Sequence, residues 1–186
     1  DGYDPGQVMS VEKAEVYHAH QVRALTEAGA DMVTAITMTN ANEAIGVAQA
    51  AVKAAMPVVI SFTVETDGRL PTGQTLAAAI EEVDATTQGG PAYYMINCAH
   101  PLHFADTLRA KDDWTKRVRG IRANASRRSH RELNDAPDLD AGDPIELGGQ
   151  YRDLLREHPQ INVLGGCCGT DHRHVECISL ACRTAA

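Results

Sequence analysis

Val58-Val59-Ile60-Ser61-Phe62-Thr63-Val64 is a nearly unbroken apolar run rich in β-branched residues. Such a run belongs in a strand covered on both faces, as in a parallel sheet, rather than in a half-exposed hairpin. Helical spacing flanks it on both sides. Upstream, Ala44, Val47, Ala48, Ala51 and Val52 recur at that spacing between Glu43 and Ala55, and Pro57 closes the segment. Downstream, a polar loop from Glu65 to Gly73 leads to a predicted helix at Leu76 to Thr87, stopped by Gly89-Gly90.

The same unit recurs along the chain. Ser10 is a candidate N-cap for a helix carrying Val11, Ala14, Tyr17, His18, Val22 and Leu25, ended by Gly29, and Asp31 to Thr37 follows as a short strand. Beyond the central run come a strand at Tyr93 to Cys98, a helix at His103 to Lys111, and a strand at Val118 to Ala123 interrupted by Arg119 and Arg122. Ile145 to Glu157 is a helix, Ile161 to Gly166 a strand, and Asp171 to Arg183 a final helix capped by Thr170 or Asp171. Ser126 to Pro144 is rich in Arg, Asp, Asn, Gly and Pro without a period, and reads as a long surface excursion. Five strand-then-helix units in series predict a parallel β/α architecture.

The sulfurs fall where such folds place their chemistry. Cys98 ends the apolar run Tyr93 to Asn97, and Cys167-Cys168 ends Ile161 to Gly166. Active sites of β/α barrels gather at the carboxyl ends of strands. Three cysteines there suit one zinc ion with its fourth tetrahedral position left for a substrate. Cys177 and Cys182 lie in the final helix and read as packing residues, as free cysteines often are. His18 and His20 read as surface or interface residues, and His172 and His174 as solvated residues at a helix start.

Composition narrows the alternatives. The 186 residues include 17 Lys and Arg against 25 Asp and Glu, a net charge of -8, which argues against a nucleic-acid partner. No apolar run is long enough to span a membrane, and the opening Asp1-Gly2-Tyr3-Asp4-Pro5 lacks the features of a signal peptide. Five cysteines, an odd number clustered late, do not resemble a secreted disulfide framework, so a cytoplasmic setting with reduced thiols is expected. Gly165-Gly166 and Gly169 lack the spacing and lysine of dinucleotide or P-loop sites, and Asp171-His172-Arg173-His174 lacks the spacing of a cobalamin module.

Ile96-Asn97-Cys98 followed by Gly165-Gly166-Cys167-Cys168-Gly169-Thr170 resembles the zinc-dependent homocysteine S-methyltransferase family. The likeness extends over nearly the whole chain, including Leu25 to Asp31 and Asn42-Glu43-Ala44. It implies a (β/α)₈ TIM-type barrel of which residues 1–186 supply the C-terminal five units, as an N-terminally truncated homocysteine-binding domain. A barrel lacking units exposes two sheet edges, so a longer parent chain or a homo-oligomer is expected. The resemblance carries Zn²⁺ ligation onto Cys98, Cys167 and Cys168, and a homocysteine pocket onto Asn97 and the backbone at Gly166. Two features depart from the family pattern. Ile36 stands where members carry the glutamate that holds the substrate's amino group, and no segment corresponds to their acidic, glycine-containing motif near the first barrel strand. Glu65, at the end of Val58 to Val64, is the candidate replacement carboxylate.

The implied reaction moves a methyl group from a small-molecule donor to the thiolate of homocysteine, giving methionine. A sulfonium donor such as S-methylmethionine or S-adenosylmethionine leaves as a neutral group, whereas a folate donor needs a general acid, for which His100 and His103 are placed but not distinguished by spacing. The alternatives are a phosphate-binding barrel enzyme that cradles an anion at Gly165-Gly166, and a zinc-binding fragment without turnover.

Overall fold

Asn40, Thr75 and Ser10 each stop an extended segment and start a helix, their side chains accepting from the backbone N–H groups of Glu43, Ala78 and Lys13. The computed structural model describes residues 3–110 and 112–183. Its helices are α1 (Val11–Glu27), α2 (Ala41–Lys53), α3 (Leu76–Thr87), α4 (Pro101–Leu108), α5 (His130–Asn134), α6 (Pro144–Glu157) and α7 (His172–Arg183). Between them, except between α5 and α6, run β1 (Val33–Met38), β2 (Val58–Phe62), β3 (Tyr93–Asn97), β4 (Val118–Ala123) and β5 (Val163–Gly166). The strands form one sheet in the order β1-β2-β3-β4-β5, with every neighbouring pair parallel.

Strand alternation divides the sheet into two faces. Val58, Ile60 and Phe62 of β2, with Tyr94 and Ile96 of β3, join Ile45, Ile80, Val83 and Tyr151 from the helices in one hydrophobic core. Ser61 and Asn97 project from the opposite face and are buried there as polar groups. Helices α1 and α2 meet backbone to backbone: a Cβ on Gly46 would stand 2.6 Å from Glu15 N. Glycine is therefore required at that crossing.

The predicted units are all present, with shifted ends. The fourth helix begins at Pro101 instead of His103, because proline suits the first turn and His100 serves as its N-cap. It ends at Leu108, and the expected terminus, Lys111, lies outside the described residues. The stretch from Ser126 to Pro144 is more than a surface excursion. Ser129 and Glu132 form a capping box that starts α5, and Ser126 and His130 are buried against the sheet ends. Within it Ser126 donates to Asp140 at 2.8 Å.

No further strand pairs with β1 or β5 among the described residues. A cavity of about 290 Å³ runs along the first margin, lined by Val22, Val33, Ile36 and Met38, and one of about 480 Å³ along the second, lined by Leu155, Ile161, Leu164 and Cys182. No described helix is long and apolar enough to cross a membrane.

Candidate metal centre

β3 and β5 end on either side of β4, and the ladder continues past both ends. Cys98 N donates to Arg122 O at 3.1 Å and Cys167 N to Ala123 O at 2.8 Å. The sulfurs of Cys98, Cys167 and Cys168 all lie within 4.8 Å of one another. Cys98 Sγ is 4.0 Å from Cys168 Sγ, and Cys98 pairs directly with Cys167 across a Cα separation of 5.5 Å. Zinc–sulfur bonds of about 2.3 Å at tetrahedral angles put ligand sulfurs about 3.8 Å apart. The donor set therefore fits a thiolate-preferring metal, with the Cys98–Cys167 pair opened to the same spacing. Cys98 is buried and Cys168 exposed, so the cluster is reached from one side.

Local backbone form explains why these residues converge. Cys98 has φ of +55°, a left-handed conformation uncommon for a residue with a side chain. Gly169 turns the chain away after Cys168 with φ of +78°, and a Cβ there would stand 2.6 Å from Asp140 O. A Cβ on Gly166 would collide with Thr170, whose hydroxyl donates to Cys167 O at 2.7 Å and closes the turn.

Asn97 is 1% exposed and joins three strands. Its Oδ1 accepts from Thr37 N at 2.9 Å and from Ser61 Oγ at 2.6 Å, and its Nδ2 donates to Thr37 Oγ1 at 2.8 Å. Thr37 has φ of +60°. Ile36, beside it, is 46% exposed and offers no polar group.

Glu65 approaches the centre through a histidine. Glu65 Oε1 lies 3.2 Å from His130 Nδ1, and His130 Nε2 lies 2.5 Å from Cys98 O. The Tyr3 ring stacks on His130 with centroids 3.7 Å apart, and Tyr3 Oη is 3.8 Å from Cys168 Sγ. Burial, followed by the contact with Cys168 and the charge of Glu65, pushes the Tyr3 phenol up to about 12. It is thus protonated near neutrality and able to donate to the sulfur of a Cys168 thiolate. Tyr3, His130, Leu133, Leu139 and Cys168 line a cavity of about 240 Å³.

Three more histidines are committed elsewhere. His100 Nδ1 accepts from Leu102 N at 3.3 Å, and burial, with smaller contributions from His103 and Arg127, lowers its pKa to about 4. His103 Nε2 meets Arg127 O at 2.9 Å. His174 is fully buried, contrary to its reading as a solvated residue at a helix start. Its Nε2 donates to Ala141 O at 2.8 Å and its Nδ1 lies 3.0 Å from Asp171 Oδ1, tying the Ser126 to Pro144 stretch to α7. Cys182 packs against the core, and burial raises its thiol pKa.

Residues 1–182 match the family profile described as homocysteine S-methyltransferase. The chain belongs to that family. Among solved structures it is similar to the homocysteine methyltransferase MmuM from Escherichia coli. The oxidized form has a TM-score of 0.74 at 20% identity, covering 96% of this chain and 55% of that one. The metallated form has a TM-score of 0.70 at 20% identity, covering 100% and 55%. The chain thus spans a little over half the length of the structures it matches, and its five parallel strands form part of a TIM barrel.

For this homocysteine S-methyltransferase family member, the three cysteines singled out from sequence meet in one cluster. Asn97 and Gly166 stand directly before its two cysteine segments, and Glu65 lies across His130 from it. Sequence reasoning missed Tyr3, His130 and Asn124. Asn124 had a usable signal, since it directly follows a strand just as Cys98 and Cys167 do. The Ser129-x-x-Glu132 capping box likewise marked the helix that carries His130.

Proposed function

We propose that this chain carries the thiol-activating half of a methyl transfer, in which homocysteine takes a methyl group from a small-molecule donor and becomes methionine. The carrying observation is the cluster of Cys98, Cys167 and Cys168 in a chain of this family. Zinc, when bound there, would supply a fourth position at which a thiol loses its proton near neutral pH.

The residues around the cluster have definable tasks. Three cysteinates carry more negative charge than one Zn²⁺ neutralises, which favours a nucleophilic substrate sulfur. The Tyr3 hydroxyl donates toward Cys168 Sγ and tempers that charge on one side. Asn97 fixes the left-handed turn at Thr37, so the edge of the homocysteine pocket is shaped through the Thr37 backbone. Gly166 leaves room for Thr170 and presents its backbone to the pocket. Glu65 is the carboxylate to receive the substrate's ammonium group in place of the one absent at Ile36.

A sulfonium donor is favoured. Its leaving group departs neutral, whereas a folate needs protonation at nitrogen, and His100 and His103 are engaged with Leu102 N and Arg127 O. In-line approach of donor methyl and substrate sulfur would bring most of the acceleration through positioning. A reducing compartment such as the cytoplasm suits a site that must keep Cys98 and Cys167 as separate thiolates.

The test is methionine formation from homocysteine with S-methylmethionine, S-adenosylmethionine and methyltetrahydrofolate in reducing buffer, with and without a chelator. Turnover with a sulfonium donor that chelation removes and zinc restores supports the reading. Turnover indifferent to chelation, or none with any donor, overturns it.

A further inference from the structure

Cys98 and Cys168 are carried by strands that do not touch each other, since β4 separates β3 from β5. Something must set the distance between them, and the residue immediately after β4 spans the gap. Asn124 is 1% exposed. Its Nδ2 donates to Cys98 O at 2.9 Å, and its Oδ1 accepts from Cys168 N at 3.1 Å. The amide orientation is fixed by its partners, because a carbonyl can only accept and a backbone N–H can only donate. Asn124 N also donates to Ala99 O at 3.1 Å, and Ala125 N to Cys168 O at 3.0 Å.

The Cys98 backbone shows why such a clamp is needed. A residue with a side chain remains in the left-handed region only where its surroundings over-determine it. The Cys98 carbonyl receives two donors, Asn124 Nδ2 and His130 Nε2, while its N–H is held by Arg122 O. Cys168 receives the other end of the same amide.

On the metal reading given above, we propose that Asn124 is a positioning residue of the metal centre, a side-chain bridge that fixes the Cys98 and Cys168 sulfurs at ligand spacing. Aspartate at this position keeps the acceptor for Cys168 N but turns an oxygen toward Cys98 O. Alanine removes both contacts. Either change leaves the cysteines in place and loosens their separation.

The experiment measures zinc affinity of the chain in reducing buffer by competition with a chromophoric chelator, together with the thiolate-to-cobalt charge-transfer and ligand-field bands of Co²⁺-loaded protein. Asn124→Asp and Asn124→Ala are compared with Asp84→Ala, a control that breaks a part-buried pair with Arg117 away from the cysteines. Both Asn124 variants are expected to bind zinc about 10- to 100-fold more weakly and to shift the cobalt bands, with Asp84→Ala close to wild type in both. Wild-type affinity and spectra in a folded Asn124→Asp overturn the inference. So does an equal loss in Asp84→Ala, or failure of both Asn124 variants to fold, since each makes the role one of general stability. A wild-type chain that binds no metal overturns the metal reading as well.

Discussion

Asn97 grips Thr37 twice, accepting from its backbone N–H at 2.9 Å and donating to its hydroxyl at 2.8 Å. The third contact, from Ser61 Oγ, gives the amide one partner on each of the two preceding strands. Removing this side chain strands the buried Ser61 hydroxyl and frees the part-buried Thr37 groups, and a buried group left unsatisfied costs about 1–3 kcal/mol. Asn97→Ala should lower stability by at least that amount in urea unfolding, and should raise KM for homocysteine more than it lowers kcat. A variant with wild-type stability and KM would show that Thr37 does not depend on Asn97.

Loss of any one of the three sulfurs should abolish stoichiometric metal binding. Cys98→Ala, Cys167→Ala and Cys168→Ala are each expected to fall from one bound zinc per chain to near zero by elemental analysis, whereas Cys177→Ala retains it. Retention of full zinc by Cys168→Ala would place the metal elsewhere.

Tyr3→Phe removes the hydroxyl 3.8 Å from Cys168 Sγ and leaves the ring stacked on His130. The expected effect lies at the low end for groups that support a metal ligand, about tenfold in zinc affinity or turnover. Unchanged zinc affinity and turnover would show that the Tyr3 hydroxyl does not act on the centre.

Asp171 provides a pH test. Hydrogen bonds from the Arg173 side chain, and then from His174 and the Arg173 backbone, hold its carboxyl well below the usual carboxylate range. A carboxylate whose folded pKa is depressed contributes stability that is present above its unfolded pKa of about 4 and lost as pH falls below it. Asp171→Asn should therefore be less stable than wild type near pH 7, with the gap in thermal midpoint closing as pH drops below about 4. A gap that is constant across this range would mean the Asp171 charge contributes nothing.

How much of this was legible in the sequence depended on the range of the interactions involved. β2 was legible because five consecutive buried residues leave a nearly unbroken apolar run, and α1 because Ser10 and the apolar stripe agree. The metal cluster was legible because cysteines are scarce and stood at strand ends. Asn124 carried only the signal of its place after a strand, where asparagine is also an ordinary turn residue, and its meaning lies in contacts 26 and 44 residues away. The stretch from Ser126 to Pro144 hid its order for the same reason. It has no apolar period, and it is held by contacts of His130 with Cys98 and of His174 with Ala141.

The strand between the two cysteine-bearing ones acts as a ruler. Because β4 and Asn124 gauge the sulfur separation from within the sheet, exposed loop positions that touch neither the cysteines nor His130 are free to change composition without disturbing the thiol chemistry. A designer seeking new alkyl donors would accordingly diversify exposed positions such as Asp138 and Leu139, which line the cavity beside Cys168, and leave Glu65, His130 and the β4 terminus untouched.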